Sequence, residues 1–136
     1  MQEDLNLNEI DFPLVSVGTG EEIGLLADAP AGESVVIEET LFEATGPGMA
    51  HDEEKPVGTV TIVQWKSPRE GRVPFTAHFA IGPEGEEPEI VALTGVVPGN
   101  GSWRGRGRVA YGGGTGKFEG RTGSLPLVSE NPKRWG

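Results

Sequence analysis

The chain has 136 residues, no cysteine and a formal net charge of −10 at pH 7. This length suits a single domain with a modest core, and the lack of cysteine excludes disulfide bonds and thiolate metal sites. The acidic balance argues against nucleic acid and anionic membranes as partners. The sequence has no apolar run of the roughly 20 residues that a membrane-spanning helix needs. Residues 1–12 are acidic and lack an apolar stretch, so we do not expect them to be a signal peptide. We therefore expect a cytoplasmic location.

The charge is unevenly distributed along the chain. Residues 1–54 contain fourteen acidic residues and no lysine or arginine, whereas residues 101–136 contain seven basic and two acidic residues. Because opposite charges attract, we expect the acidic N-terminal region to lie against the basic C-terminal strands.

The composition favours an all-β fold. The sequence contains 22 glycines and 11 prolines, and both residue types interrupt helices and form tight turns. Residues 1–32 hold two short amphipathic pieces broken by Gly, Pro and Asp, and we expect an N-terminal arm, a short helix or a lid there. Residues 33–136 lack the periodicity of a sizeable helix and form the predicted barrel domain.

Six segments rich in β-branched and aromatic residues are predicted to be strands. They are residues 33–44, 57–66, 73–82, 89–97, 102–113 and 123–129. Short turns join most of them, whereas residues 45–56 are predicted to form a loop. Either this loop or the N-terminal arm is expected to cap the cavity. A series of short strands at this spacing indicates a mainly antiparallel barrel or sandwich.

Alternation along each strand separates an inward from an outward face. We assign the odd-numbered residues to the interior. On the first, third and fifth predicted strands this set comprises Val35, Ile37, Glu39 and Leu41; Phe75, Ala77, Phe79 and Ile81; and Trp103, Gly105, Gly107, Val109 and Tyr111. Glycines among aromatic residues on an inward face favour a pocket, because a small barrel either fills its interior or holds one small ligand.

The sequence AYGGGTGKFEGRTG, residues 110–123, invites comparison with a phosphate-binding loop. Such a loop needs a Ser or Thr after its Lys and a following helix. Here Phe118 follows Lys117, and the next segment is a predicted strand. We therefore interpret the run as a tight glycine corner between two strands, with Phe118 closing one end of the fold.

The same run resembles the G-G-S/T-G-x-F-x-G-x-x-G signature of the allene oxide cyclase and dirigent β-barrel superfamily. The strands before it, VGTVTIVQW, PFTAHFAI and EIVALTGVV, agree in order and spacing. The segments EETLFEATG and VQWKSP are similar to those of bacterial spirotetronate and spirotetramate cyclases. The resemblance covers about residues 33–130.

This resemblance implies an all-β, eight-stranded, mainly antiparallel barrel of the allene oxide cyclase-like type with an N-terminal arm. It also implies a cofactor-independent cyclase of polyketide natural-product biosynthesis. Such an enzyme would catalyse intramolecular Diels–Alder-type (4+2) ring closure of a hydrophobic polyene or polyketide in the barrel, with no metal. A homo-oligomer, dimer or trimer, is also expected. Two alternatives stay open: an isomerase or cyclase that uses an inward carboxylate, and a non-catalytic dirigent-like protein that binds a hydrophobic ligand.

Apolar and aromatic residues of the predicted interior are the candidate substrate-binding residues, although each of them can equally serve core packing. They are Trp65, Phe75, Phe79, Leu93, Trp103, Leu125 and Leu127. Tyr111 is a candidate catalytic residue because its hydroxyl can orient a carbonyl group. In the resembling cyclases, bulky pocket residues stand where this chain has Leu125 and Leu127.

Glu39 is the second candidate catalytic residue. Allene oxide cyclases carry a carboxylate near this place on their first strand, although the neighbouring Glu38 leaves the register open. An inward Glu39 either pairs with an arginine or, without a cation, holds a proton that it can donate. Arg104, Arg106 and Arg108 form a stripe that is exposed, pairs with acidic residues of the first predicted strand and the N-terminal region, or binds an acidic ligand. Two histidines, His51 and His78, are too few for a metal site.

Overall fold

Eight antiparallel strands close into a barrel in the computed structural model, which describes residues 10–18, 33–65, 72–83, 85–98, 105–129 and 132–136. Each strand pairs with the next along the chain, and the last pairs with the first. The strands are β1 (Leu14–Val17), β2 (Ser34–Ala44), β3 (His51–Trp65), β4 (Arg72–Ile81), β5 (Glu89–Pro98), β6 (Gly105–Gly114), β7 (Thr122–Ser129) and β8 (Lys133–Trp135). A 3₁₀ helix, Gly116–Phe118, follows β6. The predicted all-β, eight-stranded barrel is thus confirmed.

All six predicted strands are present as β2 to β7, and the two missed strands are the short ones that close the barrel. β1 lies in the segment assigned to an N-terminal arm, so the boundary at residue 33 is wrong for residues 14–17. Residues 14–17 pair with β2, and residues 14–16 also pair with β8. The remainder of the predicted arm or lid, residues 1–9 and 19–32, lies outside the described residues. The predicted loop 45–56 is also shorter, because β3 already begins at His51.

The inward faces follow the predicted odd-numbered pattern on β2 and β4 but not on β3. There Leu41 pairs with Gly58 while Phe42 pairs with Pro56, so that Val57 is an extra residue in a β-bulge. An extra residue shifts the alternation by one. Beyond the bulge the buried side chains are therefore even-numbered: Val60, Ile62 and Gln64.

The core lies inside the barrel and extends to the end where the glycine-rich run connects β6 to β7. Phe118 is buried there, as predicted, and Ile10 is buried as well. The 3₁₀ helix that carries Phe118 is not the start of a longer helix, because β7 begins four residues after Phe118. Positive φ angles at Gly113, Gly116 and Gly120 allow the chain to reverse within this corner. The run is a structural corner of the barrel.

Contacts join the acidic and basic ends of the chain, as the charge distribution predicts. Asp11 accepts a hydrogen bond of 3.0 Å from Arg121, and Glu39 forms an ion pair with Lys133. Arg134 donates hydrogen bonds to the carbonyl oxygens of Gly46 and Gly48. The connection between β2 and β3 is thereby held against β8. Within the described ranges, no helix is both long and apolar enough to cross a membrane.

We expect Gly58→Ala to destabilise the barrel strongly, because a Cβ at this position would overlap the backbone carbonyl oxygen of Ala80. Backbone cannot yield as a flexible side chain can, and overpacking typically costs about 1–3 kcal/mol. Gly112→Ala is the matched control, since the nearest atom to its Cβ would be Thr122 Cγ2 at 3.8 Å. Urea denaturation should show the loss for Gly58→Ala alone; equal stabilities would contradict the close approach of β3 and β4.

Candidate functional site

Glu39 on β2 lies inside the barrel and forms a buried ion pair. Its Oε2 accepts a hydrogen bond of 2.6 Å from Lys133 Nζ on β8. Both side chains are almost fully buried. The inward register of Glu39 is confirmed, whereas Glu38 is exposed. The cation that pairs with Glu39 is Lys133, whereas the sequence suggested an arginine as the partner. Lys133 lies on β8, a strand that was not predicted.

The ion pair is part of a longer chain of hydrogen bonds. Ser16 Oγ on β1 donates to Glu39 Oε1 at 2.7 Å, and Trp135 Nε1 on β8 donates to Ser16 Oγ at 2.8 Å. The two carboxylate oxygens of Glu39 thus each accept a hydrogen bond from a different strand. A buried charge is tolerated when it is paired and hydrogen-bonded in this way. The arrangement leaves neither carboxylate oxygen of Glu39 without a hydrogen-bond donor.

Aromatic rings form a second feature of the interior. Trp135 packs edge-on against Phe79, with ring centroids 4.9 Å apart, and contacts Phe75 at 6.2 Å. Phe12, which precedes β1, packs edge-on against Phe79 at 5.6 Å and lies 6.1 Å from Tyr111. Such edge-to-face contacts stabilise aromatic pairs beyond the area they bury. The rings therefore form a continuous series from Tyr111 to Phe75.

Tyr111 belongs to this aromatic series and not to the Glu39 cluster. It is half-buried, and its hydroxyl lies over Gly123, where a Cβ would come within 2.8 Å of the oxygen. The guanidinium of Arg121 lies 5.7 Å from the centre of its ring. The hydrogen bond from Arg121 to Asp11 is the main cause that raises the pKa of Arg121, which therefore stays positively charged beside Tyr111. Tyr111 and Glu39, the two candidate catalytic residues, thus have separate surroundings.

The structure places most of the candidate substrate-binding residues inside the barrel. Phe75, Phe79, Leu93, Leu125 and Leu127 are all buried in the core. The predicted inward orientation of Trp65 is wrong. The bulge in β3 turns the Trp65 side chain outward, and the residue is 36% exposed. Trp103 and Arg104 lie outside the described residues.

The histidines and the described part of the arginine stripe lie away from the interior. His78 is exposed on β4, and His51 lies beside the Phe42 ring and donates through Nδ1 to the Met49 carbonyl oxygen. Arg108 is exposed and donates a hydrogen bond to Ser124. Among the residues that the structure describes, no three His, Asp or Glu side chains are grouped so that they could hold a metal ion.

Four residues of the interior were missed by the sequence reasoning: Ser16, Gln64, Lys133 and Trp135. Lys133 and Trp135 share the inward face of a three-residue strand, which is too short to show a periodic pattern. Gln64 stands on the inward face because of the bulge at Val57. Only the alternation of Lys, Arg and Trp after Pro132 could have suggested the strand β8.

Comparison of the chain with protein-family models, with curated proteins and with solved structures finds no match. The signature in residues 110–123 therefore remains the basis for the suggested relation to allene oxide cyclase-like barrels.

We expect removal of either partner of the Glu39–Lys133 pair to destabilise the protein by about 3–5 kcal/mol, because the other charge is then buried alone. The variants are Glu39→Met and Lys133→Met, and the double variant should recover most of the loss. Urea denaturation of the four proteins gives the coupling free energy between the two positions. Additive losses in the double variant would contradict the ion pair.

The partly exposed pair of Asp11 and Arg121 is the control for this measurement. Their side chains keep 42% and 35% of their surface accessible, and ion pairs at such positions contribute about 0–1 kcal/mol because water and salt screen them. Asp11→Asn should therefore change the free energy of unfolding by less than about 1 kcal/mol.

Proposed function

We propose that this chain is a cofactor-independent cyclase that closes a six-membered ring by an intramolecular Diels–Alder-type reaction of a linear polyene. The observation that carries the proposal is the apolar composition of the barrel interior. All but four of the buried residues in the described ranges are hydrophobic. A long apolar molecule would be bound by such a lining, since transfer of apolar surface out of water is favourable.

The proposed reaction needs little acid–base chemistry from the protein. The diene and the alkene form two new carbon–carbon single bonds, three double bonds become one, and no atom leaves or arrives. The barrier falls chiefly when the reacting carbons are held in the right arrangement. Rigid aromatic residues such as Phe75 and Phe79 suit this role, because their packing against Trp135 fixes their orientation.

The state of Glu39 favours this template mechanism over an isomerase that uses the carboxylate. Both oxygens of Glu39 are already engaged by Ser16 and Lys133. A carboxylate that two other strands hold in this way is not free to turn toward a substrate. Glu39 therefore acts in this proposal as a positioning residue of the barrel.

We also propose that the chain forms a homo-oligomer, a dimer or trimer, which light scattering can measure.

The test is the rate at which a linear polyene, with a conjugated diene and a carbonyl-activated alkene, cyclises with and without the protein. We expect the wild-type protein to accelerate ring closure and to give one stereoisomer in excess. Leu125→Trp should reduce the rate at least tenfold by filling the interior, whereas Ser124→Trp, on the exposed face of the same strand, should not.

Other outcomes of this experiment identify the alternatives. Binding of the polyene with a rate equal to that in buffer would support a non-catalytic hydrophobic-ligand protein. A loss of turnover in a folded Glu39→Gln variant that still binds the polyene would support carboxylate chemistry. Either result would overturn the template proposal.

A further inference from the structure

Gln64 is an exception to the apolar lining of the barrel. It lies on the inward face of β3, where its neighbours across the sheet are Val35 on β2 and Phe75 on β4. Its side chain is fully buried. Within the part of the chain that the structure describes, neither its amide nitrogen nor its amide oxygen has a hydrogen-bond partner.

An unpaired amide in such a place needs a physical explanation. Buried polar side-chain atoms nearly always have a partner, and each one without a partner destabilises the folded state. The other three buried polar residues, Ser16, Glu39 and Lys133, bond to one another. A leucine or methionine at position 64 would avoid the penalty. Gln64 therefore works against stability, which is typical of a residue that serves a binding site.

The two neighbours of Gln64 across the sheet differ in burial. Val35, its inward neighbour, is only half-buried, whereas most inward residues of β2 to β4 are buried. On the opposite side, Phe75 and Val109 fill the space above Gly95, where a Cβ would come within 2.9 Å of both. The amide thus lies between a packed aromatic wall and a partly accessible position.

Gln64 is also separate from the ion pair. Glu39 pairs across the sheet with Val60, four residues before Gln64 on β3. At about 3.3 Å per residue, the two positions are roughly 13 Å apart along the strand. The Glu39–Lys133 pair has no net charge, so a ligand group beside Gln64 meets neither an excess positive nor an excess negative charge from these buried residues.

We propose that Gln64 recognises the polar end of the ligand, a neutral group with a carbonyl oxygen next to an N–H or O–H donor. The amide nitrogen of Gln64 would donate to the carbonyl, and its amide oxygen would accept from the neighbouring donor. A primary amide, a lactam and an undissociated carboxylic acid have this pattern, whereas an ester lacks the donor. A carboxylate would be buried without a cation and is disfavoured. The inference rests on the proposed function for the polyene part of the ligand.

The first experiment measures stability without any ligand. We expect Gln64→Met to raise the midpoint of thermal unfolding by about 3–6 °C, because it removes a buried unpaired amide. Thr59→Met, on the exposed face of the same strand, is the control and should shift the midpoint by less than about 1 °C. A lower midpoint for Gln64→Met would mean that the amide is satisfied within the protein, and it would overturn the proposal.

The second experiment measures selectivity with three derivatives of a conjugated tetraene fatty acid, whose fluorescence reports binding. Wild-type protein should bind the primary amide about tenfold more tightly than the methyl ester, and the acid at pH 8 more weakly than the amide. In Gln64→Met the preference for the amide over the ester should fall to below about twofold. Thr59→Met should keep the wild-type preference.

The outcomes separate this inference from the proposed function. Equal binding of amide and ester to the wild-type protein would overturn the role of Gln64 and leave the polyene-binding interior in place. If no tetraene binds, but benzamide raises the unfolding midpoint of the wild-type protein and not of Gln64→Met, the polyene function fails and the recognition role stands. If neither kind of probe binds, both are overturned.

Discussion

The barrel depends on the seam where its last strand meets its first, and a buried hydrogen-bond chain crosses this seam. β1 and β8 have four and three residues, so their own backbone hydrogen bonds are few. Ser16 on β1, Glu39 on β2 and the pair Lys133 and Trp135 on β8 supply side-chain bonds across all three strands. A buried polar network of this kind is favourable only when every member is satisfied. The network therefore requires the closed barrel, and it fixes which strands meet.

The same seam determines what the interior can do. Trp135 donates to Ser16 and packs against Phe79 and Phe75, so the polar network and the aromatic series share one residue. The carboxylate is neutralised within the protein, and the remaining lining is almost wholly apolar. The proposed role, the positioning of a hydrophobic ligand, rests on this apolar interior. In the proposal made above, Gln64 is the buried polar residue that binds the polar end of the ligand.

The fold was predictable from the sequence where strands are long, and the site was not predictable where it depends on short elements. Alternation over ten or more residues identified β2 and β4 with their inward faces, including Glu39, Phe75 and Phe79. The cation of the site comes from the three-residue strand β8, over which no period can be recognised. On β3, the bulge at Val57 reversed the faces beyond it, so that Trp65 was assigned inward and Gln64 was overlooked. A single extra residue has no signature in the hydrophobic pattern.

Closure through the two terminal strands also has a consequence for the order in which the protein forms during synthesis. Leu14 pairs with Trp135, so the last contact of the barrel joins residues that are more than a hundred positions apart. Until residues 133–135 leave the ribosome, β1 and β7 are free sheet edges, and Glu39 lacks its cation. Free edges of this kind invite pairing with other chains. The nascent sheet is thus exposed to misassembly for nearly the whole of its synthesis, and one short peptide segment ends that exposure.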